Sequence, residues 1–219
     1  NDIMATHCPL CHSNQISPYS ESKGVTYLNC SQCDLVFVPK EFHLSDSDEK
    51  NRYDSHQNNP EDKRYRQFLS QVFNPVLDFI KPGDKGLDFG CGPGPTLSVM
   101  FEERGFKVDL FDKFYANDKS IFNNKYDFIT ATEVVEHLSN PGVELMRLRD
   151  VLNKSGVLAI MTKMLNKKID FSSWHYKDDP THVCFFSKKT MKHLAKAWGI
   201  SVKFYGDDVS LFLNANKVG

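Results

Sequence analysis

The sequence predicts an α/β protein: a doubly wound, mostly parallel sheet with an antiparallel C-terminal strand, preceded by a small cysteine-rich ribbon. Three observations carry this expectation. From Lys85 onward, short apolar runs alternate with stretches of helical periodicity. A glycine-rich turn, Leu87-Asp-Phe-Gly-Cys-Gly-Pro-Gly94, joins the first such run to the first helical stretch. Two Cys-x-x-Cys pairs stand ahead of both. A chain of 219 residues buries one substantial core and a small satellite, so the expected division is 1–44 ribbon, 45–82 linker and N-terminal helix, and 83–219 main domain.

Taken in order, Asn1, Asp2 and Ile3 precede Met4, which reads as the native start, and are left out of the fold argument. Cys8, Cys11, Cys30 and Cys33 form a C-x2-C-x18-C-x2-C ribbon around a strand-forming stretch with Gly24, Val25 and Tyr27. Four thiolates suit a tetrahedral structural zinc, and so short a module lacks a core without one. Paired redox dithiols are the competing reading; His7 and His12, beside one knuckle, are expected to be exposed bystanders.

Residues 45–62, rich in Asp, Asn, Ser and Glu, read as a linker or loosely packed arm. Tyr65, Phe68, Leu69, Val72, Phe73, Val76, Leu77 and Ile80 then recur at helical spacing, with Pro75 expected to kink or divide the helix. Strands are predicted at 85–89, 107–111, 126–131, 157–161, 201–205 and 209–214, and helices at 96–104, 143–152 and 188–198. The last two strands, joined at Gly206-Asp-Asp, form an antiparallel hairpin. Only thirteen residues separate Asp112 from Tyr126, too few for a helix and a further strand, so the sheet is shortened there.

Composition excludes several functions. The net charge is −1, and residues 1–60 hold four basic against eight acidic side chains, a poor clamp for nucleic acid. No apolar run reaches the roughly 18 to 20 residues of a membrane span, and no signal-peptide pattern opens the chain. Paired, non-scattered cysteines fit a reducing cytoplasm.

The glycine turn lies where open α/β sheets bind ligands. Its glycines let backbone approach a ligand, and Asp88 at the strand end suits a cationic amino group. A dinucleotide fingerprint would need glycine where Pro95 stands, and a P-loop would need Gly-Lys-Ser/Thr, which is absent. The turn resembles the first signature of class I S-adenosylmethionine-dependent methyltransferases. The run Tyr126-Asp-Phe-Ile-Thr-Ala-Thr-Glu-Val-Val-Glu-His-Leu138 is similar to that family's fourth strand and following loop, and Lys154-Ser-Gly156 to its entry into the fifth. The likeness covers about Asp84 to the C-terminus. It implies a Rossmann-like domain that holds S-adenosylmethionine at Asp88, Gly90, Cys91, Gly92, Gly94, Asp112, Thr132 and Glu133, with Asp112 on the ribose hydroxyls. The family's usual adenine contacts come from the missing strand; Phe114, Tyr115 and Asn117 are the candidates to replace them.

Methyl transfer needs positioning and, where the acceptor loses a proton, a base. His182, His137 and His175 are the candidate catalytic groups, and Trp174, Tyr176, Asp179, Tyr53 and His56 the candidate acceptor contacts; residues 163–186 form the expected lid. Glu133, Glu136, His137 and His182 also have the composition of a divalent-metal site, as in ubiquinone-pathway O-methyltransferases and small-RNA 2'-O-methyltransferases, which this pattern resembles. The same pattern occurs in metal-free relatives. Against those readings, Asp179-Pro-Thr-His182 also suits a self-bonded turn, and Cys184 suits the core. The expected partner is a small-molecule acceptor for O- or C-methylation. Alternatives are an RNA methyltransferase reading its substrate through the ribbon, and a non-catalytic cofactor-binding scaffold.

Overall fold

Residues 5–56 and 58–214 are described by a computed structural model; the expected start at Met4 lies outside them. The N-terminal ribbon contains β1 (Ile16–Ser22), β2 (Val25–Cys30) and β3 (Val36–Phe37), all antiparallel. Ser22 pairs with Val25 across Lys23 (φ 51°) and Gly24 (φ 79°), a two-residue turn with both central φ angles positive.

The stretch read as a linker contains a helix, α1 (Asp46–Asp54). It has no apolar periodicity and no buried residue. Ser45 caps it by accepting from the Asp48 amide, and Asp46, Asp48 and Glu49 lie in its first turn, where carboxylates favour the helix dipole. Next comes α2 (Lys63–Leu77), capped by Asp62, whose face Leu69, Val72, Phe73 and Val76 is buried. Pro75 does not divide it: it sits in the final turn, where little helix remains to interrupt.

The main domain then runs β4 (Lys85–Phe89), α3 (Thr96–Glu102), β5 (Lys107–Phe111), β6 (Tyr126–Thr132), α4 (Pro141–Val151) and β7 (Leu152–Met161). It ends with β8 (Cys184–Phe185), α5 (Lys188–Trp198), β9 (Ser201–Tyr205) and β10 (Val209–Leu213). The six-stranded sheet has the order β5-β4-β6-β7-β10-β9. Strands β5, β4, β6 and β7 are parallel; β10 is antiparallel to both β7 and β9, closing the hairpin. The expected shortening appears as β5 at the sheet edge, followed by a 3-10 turn (Lys119–Asn123). Phe122 of that turn packs 4.9 Å from Phe111, with the Arg147 guanidinium 3.6 Å from its ring centre.

Alternation along β7 sends Val157, Ala159 and Met161 to one face and Leu158 and Ile160 to the other. The first face packs against α2 and α3 through Val72, Phe73 and Phe101. The opposite face joins Met191 and Leu194 of α5 to Leu28, Leu35 and Phe37 of the ribbon in one core. The ribbon is therefore no detached satellite. Its β3 pairs with β8, so residues predicted as a lid complete a four-stranded sheet with it. Among the described residues, no helix is long and apolar enough to cross a membrane.

Candidate active site

The glycine turn follows β4 and is tied to the end of β5. The Gly90 amide donates to the Phe111 carbonyl at 2.7 Å. Gly90 has φ 73°, and a Cβ there would lie 2.3 Å from Val134, so only glycine fits. The Gly92 amide donates to Asp112 Oδ2 at 2.9 Å, while Asp112 Oδ1 accepts from the Phe114 and Tyr115 amides at 2.8 and 3.2 Å. Asp112 thus ties the glycine turn to the loop after β5. A Cβ on Gly94 would lie 2.2 Å from the Asn58 carbonyl oxygen, so the chain after α1 crosses directly over the turn.

Asp88 is buried beneath this turn, accepting from Thr130 Oγ1 at 2.9 Å; burial, with Asp112 nearby, pushes its carboxyl up to about 7. Burial also pushes the Cys91 thiol up to about 12. Thr132 Oγ1 is buried without a hydrogen-bond partner. Glu133, at φ 54°, donates its amide to the Met161 carbonyl, and its carboxyl is raised, chiefly by burial. Tyr65 is pushed up to about 12 by burial and by the Asp88 and Glu133 charges. These groups fit S-adenosylmethionine: nothing stands within 4 Å of where a Gly92 Cβ would be, the Thr132 hydroxyl lacks a partner, and the Asp88 carboxyl gains from a cationic amino group.

The Val134 side chain abuts Gly90, and the 3-10 turn after it (Val135–His137) meets the acceptor side. Glu136 is fully buried. Its Oε2 accepts from Thr162 Oγ1 at 3.0 Å, its Oε1 has no hydrogen-bond donor, and burial with Glu133 beside it holds the carboxyl well above its usual range. His137 Nδ1 lies 3.1 Å from the Thr181 carbonyl and His182 Nδ1 lies 2.6 Å from the Tyr176 carbonyl. A carbonyl only accepts, so each Nδ1 carries the proton and each Nε2 presents a lone pair. Burial, with His182 adjacent, holds the His137 pKa down to about 3, and burial also lowers that of His182.

The His137 and His182 ring centres are 4.7 Å apart, those of His182 and Tyr176 4.3 Å, and those of Tyr53 and His137 5.3 Å. An open cavity of about 640 Å³ beside them is lined by Lys163, Trp174, His175, Tyr176, Asp179 and His182.

The structure does not bring all the predicted residues together. Glu133 is not part of the metal-competent cluster. Ligand atoms of Glu136, His137 and His182 all lie within 4.8 Å of one another, and Glu133, although beside Glu136, is outside the set. His175 lies at the rim with a 99% exposed side chain, its Nδ1 3.8 Å from Asp178 Oδ2. His56 is likewise exposed and bonded to the Arg52 carbonyl. Asp179 lines the cavity, but its Oδ1 accepts from the Thr181 amide, the Thr181 hydroxyl and Arg52 Nε. The self-bonded turn is therefore present at 179–182. Tyr115 reaches Asp54 instead of pointing freely into the cleft, and Asn117 is exposed. Sequence reasoning missed Thr162, which links Glu136 to Tyr176 Oη at 3.0 Å. Its place immediately after β7 was the available signal.

At the ribbon, Cys8 Sγ lies 3.6 Å from Cys33 Sγ and Cys11 Sγ 3.6 Å from Cys30 Sγ, with all four sulfurs within 4.8 Å of one another. Zn–S bonds of about 2.3 Å in a tetrahedron place sulfurs about 3.8 Å apart, so the set fits zinc. His7 and His12 are exposed and outside it, and Cys184 is buried in the core.

The model of a methyltransferase-domain family matches residues 61–202. Over 145 aligned residues the chain is 23% identical to 2-methyl-6-phytyl-1,4-hydroquinone methyltransferase of Synechocystis, a match that takes in 56% of this chain and 42% of that relative. It thus spans about two fifths of the length of this curated relative. Among solved structures, it is similar to the Burkholderia thailandensis 1,6-didemethyltoxoflavin-N1-methyltransferase, determined with its substrate and S-adenosylhomocysteine (TM-score 0.54, 11% identity, 89% of this chain and 96% of that one). It is also similar to the Synechocystis magnesium protoporphyrin IX methyltransferase with bound S-adenosylhomocysteine (TM-score 0.50, 14% identity, 80% and 97%). At these identities the structural likenesses speak to the fold.

Proposed function

Because the chain belongs to the methyltransferase-domain family, whose model spans 142 of its residues (61–202), we propose that it transfers the methyl group of S-adenosylmethionine to an oxygen or carbon of a small, ring-bearing acceptor. One observation carries the reading. The turn after β6 touches the glycine loop through Val134 on one side and, through His137 and Glu136, meets His182 and Thr162 on the other. Donor cleft and acceptor cavity thus share a wall.

S-adenosylmethionine, when bound, supplies an electrophilic methyl carbon. The protein's own contribution is placement and proton transfer. Asp112 holds the glycine loop and offers its carboxylate to the ribose; Asp88 and Thr132 face the amino-acid portion. Trp174 and Tyr176, with ring centres 5.0 Å apart, provide an aromatic surface for an acceptor ring. His182 Nε2 takes the acceptor proton. It is neutral at pH 7 because burial lowers its pKa, it is oriented by Nδ1–H donation to the Tyr176 carbonyl, and Asp179 Oδ2, 3.8 Å away, stabilises the imidazolium once formed. His137 and Tyr53 close the wall behind it.

A second reading is favoured by one specific observation: one ligand atom each of Glu136, His137 and His182 lies within 4.8 Å of the others, and Glu136 Oε1 has no hydrogen-bond partner. One carboxylate and two imidazoles, with His137 and Glu136 3.9 Å apart, would hold a divalent ion, whose chemistry would be to lower the pKa of an acceptor hydroxyl. Titration with Zn²⁺ and Mn²⁺ distinguishes the readings: heat of binding lost in Glu136→Gln supports the ion, and absence of binding leaves His182 as the base. The RNA reading has no structural observation behind it, since the ribbon's inner face is taken up by the domain core.

The test is transfer of labelled methyl from S-adenosylmethionine to a panel of hydroxylated aromatics and quinols, with RNA in parallel. Label in a small acceptor supports the proposal. Label only in RNA, or cofactor binding with no transfer to any acceptor, contradicts it.

A further inference from the structure

Residues 171–186 supply Trp174, Tyr176, Asp179 and His182 to the acceptor side of the site, and they have little regular structure of their own: two 3-10 turns and the two-residue β8. Such a segment does not hold Tyr176 and His182 in place by itself. The ribbon supplies the frame. Strand β3 pairs with β8 in the register Val36–Phe185 and Phe37–Cys184, and the Val38 amide donates to the Val183 carbonyl at 2.9 Å. Tyr27, 4% exposed, packs its ring 5.0 Å from Phe171 and 6.0 Å from Phe185, and its hydroxyl donates to the Lys177 carbonyl at 3.4 Å. The Lys177 ammonium, itself buried, donates to Ser22 of β1 at 3.2 Å and to Asp178 at 2.6 Å. Farther along, Ser187 Oγ donates to Asp34 of the second knuckle at 2.6 Å. By contrast, the glycine turn is tied by hydrogen bonds to Phe111 and Asp112 and, among the described residues, makes none to the ribbon.

We propose that the tetrathiolate ribbon is the positioning frame of the acceptor site, with Tyr27 as its principal positioning residue, so that the ribbon governs acceptor binding and leaves the cofactor cleft intact. This deepens the proposed function and rests on its assignment of Tyr176 and His182 to the acceptor. With zinc on Cys8, Cys11, Cys30 and Cys33 the ribbon is rigid; its loss frees β3 and, with it, β8 and both flanking turns.

Hydrogen exchange of the full chain, with and without chelation of its zinc, tests this directly. Segment 171–186 is expected to lose protection by about tenfold or more while 85–112 and 126–132 keep theirs, and affinity for S-adenosylhomocysteine is expected to change less than about twofold. Tyr27→Ala, with zinc content verified by metal analysis, is expected to reproduce the segment's exchange and to raise acceptor KM by about tenfold with a smaller change in kcat, and Tyr27→Phe to restore both. Unchanged protection of 171–186 after metal loss overturns the proposal, and so does uniform loss across the whole domain. The exchange measurement needs no acceptor, so failure to find a methyl acceptor bears on the function and leaves this result to be read independently.

Discussion

His182 is the residue on which the chemical account turns. Its Nε2 faces the cavity because Nδ1–H is committed to the Tyr176 carbonyl, 2.6 Å away. Replacing it with alanine should lower kcat by about 10²-fold or more, as expected for loss of a general base, with S-adenosylhomocysteine affinity unchanged in titration calorimetry. Asp88 gives a pH signature. Its carboxyl is pushed up to about 7 by burial, and a cationic ligand favours the ionised form. In the free protein Asp88 gains a proton as pH falls through 7, so S-adenosylmethionine affinity should be flat above that value and weaken below it, approaching about tenfold per unit. Asp88→Asn should bind more weakly and lose this slope. A profile that is unaltered by the substitution removes Asp88 from the donor site. The positions of the glycine turn and of Asp88 at the end of β4 were legible in the sequence because the strand end follows from spacing. Those of His175 and Asp179 were not. Nothing in residue order tells a rim histidine from a walled one, or shows that Arg52, 127 positions earlier, occupies Asp179.

Helix α1 is held over the cleft by Tyr53, whose ring packs 6.0 Å from Phe114 and 5.3 Å from His137, and by polar contacts. Arg52 pairs with Asp179 at 2.9 Å, Tyr115 Oη donates to Asp54 at 2.5 Å, and Lys113 pairs with Asp46 at 2.6 Å. Exposed pairs of this kind are screened by solvent and each contributes little, so the chain's close passage over Gly94 matters more. Gly94→Ala would drive a methyl into the Asn58 carbonyl and should lift the segment, seen as faster limited proteolysis within 45–62 at unchanged far-ultraviolet dichroism. Equal cleavage rates would show that α1 does not depend on this contact. The helix escaped apolar periodicity because it buries no residue; its Ser45 cap and acidic first turn were the signals left to read. By the same logic α2 and α5, with strongly amphipathic faces, were plain in the sequence.

At the scale of the molecule, strand alternation and the short Asp112–Tyr126 interval were enough to predict a sheet lacking one edge strand. The pairing of β3 with β8 was not predictable: it joins residues nearly 150 apart through two-residue strands, below any periodicity signal. Metal analysis should return one zinc per chain, with chelation lowering thermal stability; a full-length protein with no zinc and unaltered melting would rule out the tetrathiolate site. The central claim, a methyl-donor cleft organised by Asp112 and the glycine turn, is tested most directly by calorimetric titration of S-adenosylhomocysteine into the native protein and Asp112→Ala. One molecule should bind per chain, and the substitution should weaken binding by about 1 to 3 kcal/mol. Absence of binding to the native protein, or equal affinity in the variant, would contradict the account.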